Sequence, residues 1–385
     1  MDAGTHPQRL GILGGGQLAR MTVQAAIPLG IDVTILADAP DSPAGRLTRS
    51  EIVGGWDDQA ALEAFARVSE VVTLENEFVP AEVLEQLSAR GALVRPGAAG
   101  LRTIQDKLRQ KQALQAQGLP VPRFAAVESA EDILRAADEF GWPLILKARR
   151  NGYDGYGNAT IRSADEIGAA WERLTTRARS TSGVLLVEQA VPFVRELAVL
   201  VARDPIGRSV TYPVVETIQR DHICHIVRAP AAIEPTTARL AAEIAQAAVA
   251  AVAGVGITAV ELFELVDGAV LVNELAPRPH NSGHFSIDAC LTSQFENHVR
   301  AVLGLPLGDP SLRSPAVMVN LLGARDGDCT PRGLEQALAI PNAHVHLYGK
   351  RAVRRGRKMG HVTALGATLA EAEQRARAAA DAIRL

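Results

Sequence analysis

The stretch VELFELVDGAVLVNELAPRPHNSGH, residues 260–284, alternates apolar and polar side chains on both sides of Asp267-Gly268. Strands over 257–266 and 269–274 therefore form a hairpin, and Asp-Gly suits a two-residue turn because it tolerates the positive φ such a turn needs. In that register Val266 faces Ala269 and Glu261 faces Glu274. Directly opposed residues hold their Cβ atoms roughly 4.5–5.5 Å apart on one sheet face, where like charges repel. A shared proton, a basic neighbour or a divalent cation would offset the repulsion. Magnesium, which takes a few carboxylates together with phosphate oxygens and water, fits a nucleoside triphosphate lying over the sheet. The competing expectation is a bulge that slips the register and parts the two carboxylates. Glu264 and Asn273 have the opposite parity and point to the other face.

Upstream, Lys147 ends the apolar strand PLILKA (143–148), a costly place for a charge unless an anion meets it. The following loop, RRNGYDGYGN at 149–158, carries Gly152, Gly155 and Gly157, which let backbone N–H groups turn toward phosphate oxygens. It is not a P-loop, since G-x-x-x-x-G-K-[ST] is absent. Glu188 closes the next apolar strand, Val184–Val187, and Glu196 follows it. A buried acceptor there can take an adenine amino group and a carboxylate can take ribose hydroxyls; either can equally belong to a salt bridge. Only five of the 40 basic residues are lysine (Lys107, Lys111, Lys147, Lys350 and Lys358), which marks those places as wanting a compact ammonium rather than a planar fork.

The N-terminal part has apolar runs at Leu10–Leu13, Ile31–Leu36 and Val71–Leu74, with helical stretches between them. That rhythm predicts a parallel sheet wound with helices. Gly14, Gly16 and Ala19 fit a loose G-x-G-x-x-A pattern, with Asp38 near the end of the next strand, the outline of a dinucleotide fingerprint. Alone it would suggest an NAD-dependent oxidoreductase, a class with no place for the lysine strand and the opposed glutamates. Further helices are expected over Ser163–Leu174, Glu234–Ala253 and Leu369–Ile383.

A chain of 385 residues suits two or three domains rather than one core. Apolar residues make up 47% and charged residues 22%, the balance of a globular protein in water. No apolar run approaches the ~20 residues of a membrane helix, and Met1–Arg9 lacks a signal-peptide core. No membrane role and a cytoplasmic location are expected. A net charge of −3 provides no field to attract nucleic acid. Cys224, Cys290 and Cys329 match neither a zinc spacing nor a disulfide framework.

The segments KARRNGYDGYGN (147–158), VEQAVPFVRE (187–196) and 260–284, in this order and spacing, resemble the ATP-grasp superfamily. With LGGGQLARM at 13–21 and GRKMGHVT at 356–363, the resemblance extends over nearly the whole chain to the 5-(carboxyamino)imidazole ribonucleotide synthases. It implies an α/β protein (α+β overall) with an ATP-grasp fold. An N-terminal Rossmann-like (pre-ATP-grasp) domain would cover 1–105, an ATP-grasp domain 106–310 with a lid subdomain over 123–190, and a small C-terminal domain 311–385.

By this resemblance ATP would be held by Lys107, Lys147, Gly152, Tyr153, Asp154, Gly155, Tyr156, Gly157, Asn158, Glu188, Gln189, Ala190, Val191, Glu196, Gln219, Asn273 and Glu274, with magnesium or manganese on Glu261 and Glu274. Gln219 stands where some relatives have histidine, and Ala276 where many ATP-grasp enzymes carry a metal-binding asparagine. Bicarbonate and 5-aminoimidazole ribonucleotide would meet Gln17, Glu75, Tyr153, Arg278, His280, Asn281, Ser282, Lys350, Arg357 and Lys358. Arg278, His280, Asn281, Asp154 and Lys358 are the expected catalytic set. The implied reaction consumes ATP and bicarbonate, carboxylates the ribotide amine by way of carboxyphosphate, and releases ADP and phosphate, as a ligase of purine biosynthesis that is commonly a homodimer.

Formate-dependent glycinamide ribotide transformylase is the nearest alternative; it typically carries an HDTGM-like stretch where this chain has HNSGH. Pro279 and Gly283 argue for a loop rather than a helical His280/His284 metal pair. Glu75 and Glu77 lie at the carboxyl end of a sheet strand, where ligands of open α/β sheets gather. The basic cluster at 350–358 lacks the interleaved aromatics of a nucleic-acid patch and suits a small phosphorylated substrate; Arg355 stands where relatives usually have proline.

Overall fold

The computed structural model describes residues 7–152, 157–177, 185–220 and 222–385. Tyr153, Asp154, Gly155, Tyr156 and Val184 lie outside the described residues. The chain begins with a parallel sheet of β1 (Arg9–Leu13), β2 (Asp32–Ala37), β3 (Ser50–Val53), β4 (Val71–Leu74) and β5 (Leu93–Val94), in the order β3-β2-β1-β4-β5. Helices α1 (Gln17–Ala26), α2 (Gln59–Val68), α3 (Ala81–Ala89) and α4 (Ala98–Gln105) wind around it. β1 is central and is buried from Leu10 onward, which is why it reads as an unbroken apolar run. β3 went unseen in the sequence: as an edge strand it is only partly buried and carries polar Ser50 and Glu51 instead of an apolar run.

Helix α5 (Lys107–Ala116) starts at Asp106, whose carboxylate accepts from the backbone N–H of Leu108 and Arg109 at 3.1 and 3.3 Å. Beyond it lies an antiparallel sheet of β6 (Phe124–Val127), β7 (Leu144–Ala148), β8 (Asn158–Ile161) and β9 (Leu185–Gln189), ordered β6-β9-β7-β8. Helices α6 (Ala130–Phe140) and α7 (Ile167–Arg177) cover one face, packing Ile133, Ala136 and Ile167 onto Leu144, Leu146 and Val187. The other face is left for the cleft.

The third sheet holds β10 (Phe193–Arg203), β11 (Ser209–Thr211), β12 (Val215–Arg220), β13 (Ile223–Ala229), β14 (Gly256–Leu265), β15 (Val270–Ala276), β16 (Ala316–Leu322), β18 (Ala343–Leu347) and β20 (Lys358–Leu365), with the small pair β17 (Gly327–Asp328) and β19 (Ala352–Val353) beside it. Its order is β15-β14-β10-β12-β13-β16-β20-β18, so the C-terminal strands continue the central sheet through β13 and β16. Helix α8 (Pro235–Ala251) buries Ala241, Ile244, Ala245 and Ala248 on one face, against Val199, Val260 and Leu262. On the other face Ile257, Ala259 and Leu200 pack under Phe285 and Ala289 of α9 (Ser286–Ala289). Helices α10 (Gln294–Leu303), α11 (Leu334–Leu338) and α12 (Leu369–Ala382) complete the cover. Among the described residues no helix is long and apolar enough to cross a membrane.

The β14–β15 hairpin corrects the expected turn while keeping its consequence. The loop has three residues, Val266-Asp267-Gly268: Leu265 N–H donates to Ala269 O at 2.8 Å, and Gly268 N–H to Leu265 O at 3.0 Å with φ +80° at the glycine. The extra loop residue shifts the register by one, pairing Leu262 with Val272. An irregularity at the next step shifts it back, so that Glu261 does face Glu274. Leu275 and Val272 both belong to the α8-side core, although three residues apart. Asn273 is therefore the bulged residue, and both it and Glu274 turn to the opposite face. The parity expectation that Asn273 points away from the cleft is overturned by this bulge.

Candidate active site

All three sheets contribute to one cleft of about 2110 Å³, lined from Gly14 to Lys358. Glu261 and Glu274 stand on its floor, and their ionisation is unequal. Lys107, on the first turn of α5, is ion-paired to Glu274. Burial alone would raise the Glu274 carboxyl, but the Lys107 ammonium outweighs burial and holds it down at about 2. Glu261 lacks so close a cation; burial first, then the negative Glu274, push its carboxyl up to about 8. The pair thus shares one proton, held on Glu261, and a divalent cation entering between them would displace it. Two carboxylates of opposite strands on one face, in a cleft rich in ammonium groups, fit a magnesium ion that also carries phosphate oxygens.

Lys147 projects from β7 into the same space. Its Nζ lies 2.9 Å from Glu188 Oε2 and 3.4 Å from Asn273 Oδ1. Lys111, one helical turn after Lys107 on α5, places its Nζ 3.3 Å from Glu188 Oε1 and donates to the bulge carbonyl of Asn273 at 3.1 Å. Glu188, open in the sequence between an adenine acceptor and a salt-bridge partner, lines the cleft. Its carboxylate is engaged by two buried lysines, which hold it below the ordinary glutamate range against the cost of burial. Lys111 is 1% exposed, and burial pushes it down to about 8. It is the functional position that sequence reasoning left out of the site. The four-residue spacing from Lys107, which puts both on one helix face, was the available signal.

The glycine loop is tied to α5: Lys107 N–H donates to Arg149 O at 2.9 Å, and the Arg149 guanidinium meets Asp106 at 2.9 and 2.6 Å. Gly152 and Asn158 line the cleft, and Gly157 accepts from Ala148 N–H at 2.8 Å. Tyr153, Asp154, Gly155 and Tyr156, expected at the phosphates, lie outside the described residues. Gln189, Ala190 and Val191 line the cleft after β9. Glu196 and Gln219 face it from β10 and β12, with the Gln219 amide hydrogen-bonded to the Glu196 carboxyl. Phe193 stacks on Phe263 along the same wall, centroids 4.7 Å apart.

At the opposite end, Arg278 forms a two-pronged ion pair with Glu77, Nη2 to Oε1 at 2.7 Å, while also lining the cleft. Glu77 therefore orients Arg278. His280 Nε2 is 3.5 Å from Glu261 Oε1, and its Nδ1 meets Ser282 Oγ at 2.9 Å. Burial, then Arg278 and Lys358, push the imidazole down to about 3, so it is neutral. Residues Asn281–Gly283 form a single 3-10 turn rather than an α-helix, and His284 is fully buried. Buried Gln294 holds this segment, accepting from His280 N–H at 2.9 Å and donating to His280 O at 2.8 Å. The Asn281 amide, expected to reach substrate, is exchanged reciprocally with Asn320 at 2.9 and 2.7 Å. Its side chain holds the turn in place.

Glu75, expected to meet the ribotide, lines the cleft. Its carboxylate accepts from Gly16 N–H at 2.6 Å and Ala19 N–H at 3.1 Å, at the start of α1. Two of the three glycines make room for this contact: a Cβ on Gly16 would lie 2.5 Å from Glu75 Oε1 and one on Gly14 2.6 Å from Glu75 Cγ. An acidic side chain thus takes the seat that a dinucleotide pyrophosphate would need. Gln17, Lys350, Arg357 and Lys358 line the cleft around it. Lys350 Nζ donates to Lys358 O at 2.6 Å, and burial, then Arg357, push the ammonium down to about 7. Four of the five lysines line this cleft and the fifth, Lys111, braces it from behind.

A strand lysine and opposed glutamates in one cleft shared by three sheets, with Gly152 and Asn158 at its edge, define an ATP-grasp ligase, and the comparisons agree. Residues 112–295 match the ATP-grasp domain, 8–105 the ribonucleotide synthetase preATP-grasp domain, and 316–375 the phosphoribosylaminoimidazole carboxylase C-terminal domain. The N5-carboxyaminoimidazole ribonucleotide synthase of Mycobacterium tuberculosis is 46% identical over 375 residues, covering 96% of this chain and 86% of that one. The crystal structure of the corresponding synthetase from Thermotoga maritima superposes with a TM-score of 0.87 at 40% identity, covering 98% and 99% of the two chains. The Aspergillus clavatus enzyme, solved with ADP and 5-aminoimidazole ribonucleotide, gives 0.88 at 36% identity and 98% coverage of each. The chain belongs to the N5-carboxyaminoimidazole ribonucleotide synthase family. It is an ATP-dependent ligase of purine biosynthesis.

Proposed function

We propose that this cleft joins bicarbonate to 5-aminoimidazole ribonucleotide in two steps, with ATP bound over β14 and β15 and the ribotide at the Lys350–Lys358 end. A bicarbonate oxygen attacks the γ-phosphorus, the bond to ADP breaks, and carboxyphosphate forms. The ribotide amine then attacks the carboxyl carbon, phosphate leaves, and the nitrogen loses a proton. The observation that carries this reading is the facing of Glu261 and Glu274 within reach of Lys107 and Lys147, in one cleft with the basic C-terminal loop. Glu261 and Glu274 would hold a magnesium or manganese ion, which would supply positive charge beside the transferring phosphoryl group.

The chain's own residues do the rest. Lys147, oriented by Glu188, and Lys107 meet the triphosphate oxygens. Gly152 to Asn158 cover the phosphates, Gln189 to Val191 edge the base, and Glu196 with Gln219 meets the ribose. Arg278, held by Glu77, and neutral His280 orient bicarbonate. Lys350, Arg357 and Lys358 take the ribotide phosphate, and Gln17, Tyr153, Asp154 and Ser282 complete its site. We further propose domain boundaries near 105 and 310, a cytoplasmic location and a homodimer, by analogy with the family.

The test is phosphate release from ATP by the purified protein, with bicarbonate, in the presence and absence of aminoimidazole ribotide. Release should depend on the ribotide. Equal stimulation by glycinamide ribotide with formate would instead assign the transformylase reaction.

A further inference from the structure

A second group of metal-ligating side chains lies apart from the glutamate pair. β18 and β20 are antiparallel neighbours, and His346 stands directly opposite His361. Cross-strand partners project to one face with Cβ atoms roughly 4.5–5.5 Å apart, a span that one ion can bridge. Asp288 of α9 reaches the same point, its Oδ2 2.9 Å from His346 Nε2. One ligand atom from each of Asp288, His346 and His361 lies within 4.8 Å of the others. His344, two residues before His346 on the same strand face, puts Nδ1 3.8 Å from Asp288 Oδ1.

An independent sign comes from hydrogen bonding. His361 is fully buried, and Tyr348 Oη meets its Nδ1 at 2.9 Å. Its Nε2 has no hydrogen-bond partner among the described residues. A buried imidazole nitrogen without a partner is costly, and coordination would satisfy it. The Tyr348 hydroxyl fixes the opposite nitrogen, as outer partners do for metal-binding histidines. The His346 and His361 rings stack at 4.5 Å. A turn about χ2, a soft torsion in histidine, aims a nitrogen of each at a common point beside Asp288.

We propose that Asp288, His346 and His361 form a divalent-cation site of the zinc class, with His344 as the fourth ligand. Two imidazoles and a carboxylate suit zinc, whereas magnesium prefers oxygen ligands. Half-exposed His344 marks the entry side. Asp288 follows the His280–His284 segment and His346 precedes Lys350, so an ion here joins two walls of the cleft.

Chelator-stripped full-length protein is titrated with Zn2+ by calorimetry, and with Co2+ by visible absorbance, without nucleotide. One equivalent should bind to wild type and to Glu261→Gln, with a Co2+ spectrum of tetrahedral type, and zinc should raise Tm by several degrees. His346→Gln and Asp288→Asn should each weaken binding roughly 100-fold, at least what loss of an outer partner costs. If either fails to fold, judged by circular dichroism without metal, half-exposed His344→Ala takes its place with a loss of roughly tenfold. Absence of stoichiometric binding, unchanged affinity in the folded ligand variants, or loss of binding in Glu261→Gln would overturn the proposal.

Discussion

Replacing Glu261 by glutamine should make the nucleotide-free protein more stable while removing its ligase activity. The carboxyl is held up at about 8 by burial and by Glu274 across the hairpin, against 4.5 for an ordinary glutamate. Below pH 4.5 both folded and unfolded chains keep the proton, and the group makes no difference. Between 4.5 and 8 the unfolded chain releases it and the folded chain does not, so stability falls by about 1.4 kcal/mol per pH unit. At pH 7 the accumulated penalty is about 3 kcal/mol, and it is complete above pH 8. Glutamine has the same shape and no proton to lose, so Glu261→Gln should exceed wild type by up to that amount. The check is denaturant unfolding of both proteins with chelator present, from pH 4.5 to 8.5. The gap should open as pH rises. A variant no more stable than wild type at pH 8, or a gap that ignores pH, would refute the unequal sharing of charge argued from this geometry.

Glu274→Gln should leave a folded protein whose kcat for ribotide-dependent ADP release falls roughly 10²–10³-fold, the scale of removing one electrostatic stabiliser; near-normal turnover would take Glu274 out of the metal site. Glu188→Gln strands two buried ammonium groups and should cost roughly 3–5 kcal/mol in a thermal or denaturant melt at pH 7. Because the Glu188 carboxyl is held below its ordinary value, that contribution is present above pH 4.5 and disappears as acid carries the pH through the folded value. Lys350→Met should raise the KM for ribotide and leave the KM for ATP nearly unchanged. Since Lys350 sits at about 7, ribotide affinity of the wild type should weaken from pH 6.5 to 8.5, and this slope should flatten in the variant.

Where strands are central or both faces are buried, local pattern was enough. β1, β4 and β7 stand out as apolar runs, and Asp267-Gly268 marks its turn because glycine tolerates the positive φ found there. The edge strand β3 stayed hidden because half-exposed positions follow no apolar pattern. The hairpin shows how a correct pairing can rest on two compensating shifts: a loop one residue longer than expected, and a bulge at Asn273 that restores the register. Neither is visible in local composition, since bulges answer to the packing of Val272 and Leu275 on the α8-side core.

The sequence by itself determined which chemical groups are present and roughly where: a lysine at a strand end, glycines after it, two glutamates on a hairpin, and basic residues in the tail. These follow from short-range periodicity and residue type, which need no knowledge of distant partners. The tertiary structure alone decided what each charge meets. Glu188 neutralises Lys111 and Lys147, Glu75 caps α1, Glu77 grips Arg278, and Asn281 clasps Asn320. Each partner is 39 or more residues distant in sequence, and electrostatic and hydrogen-bond energies depend on separations in space that the fold sets.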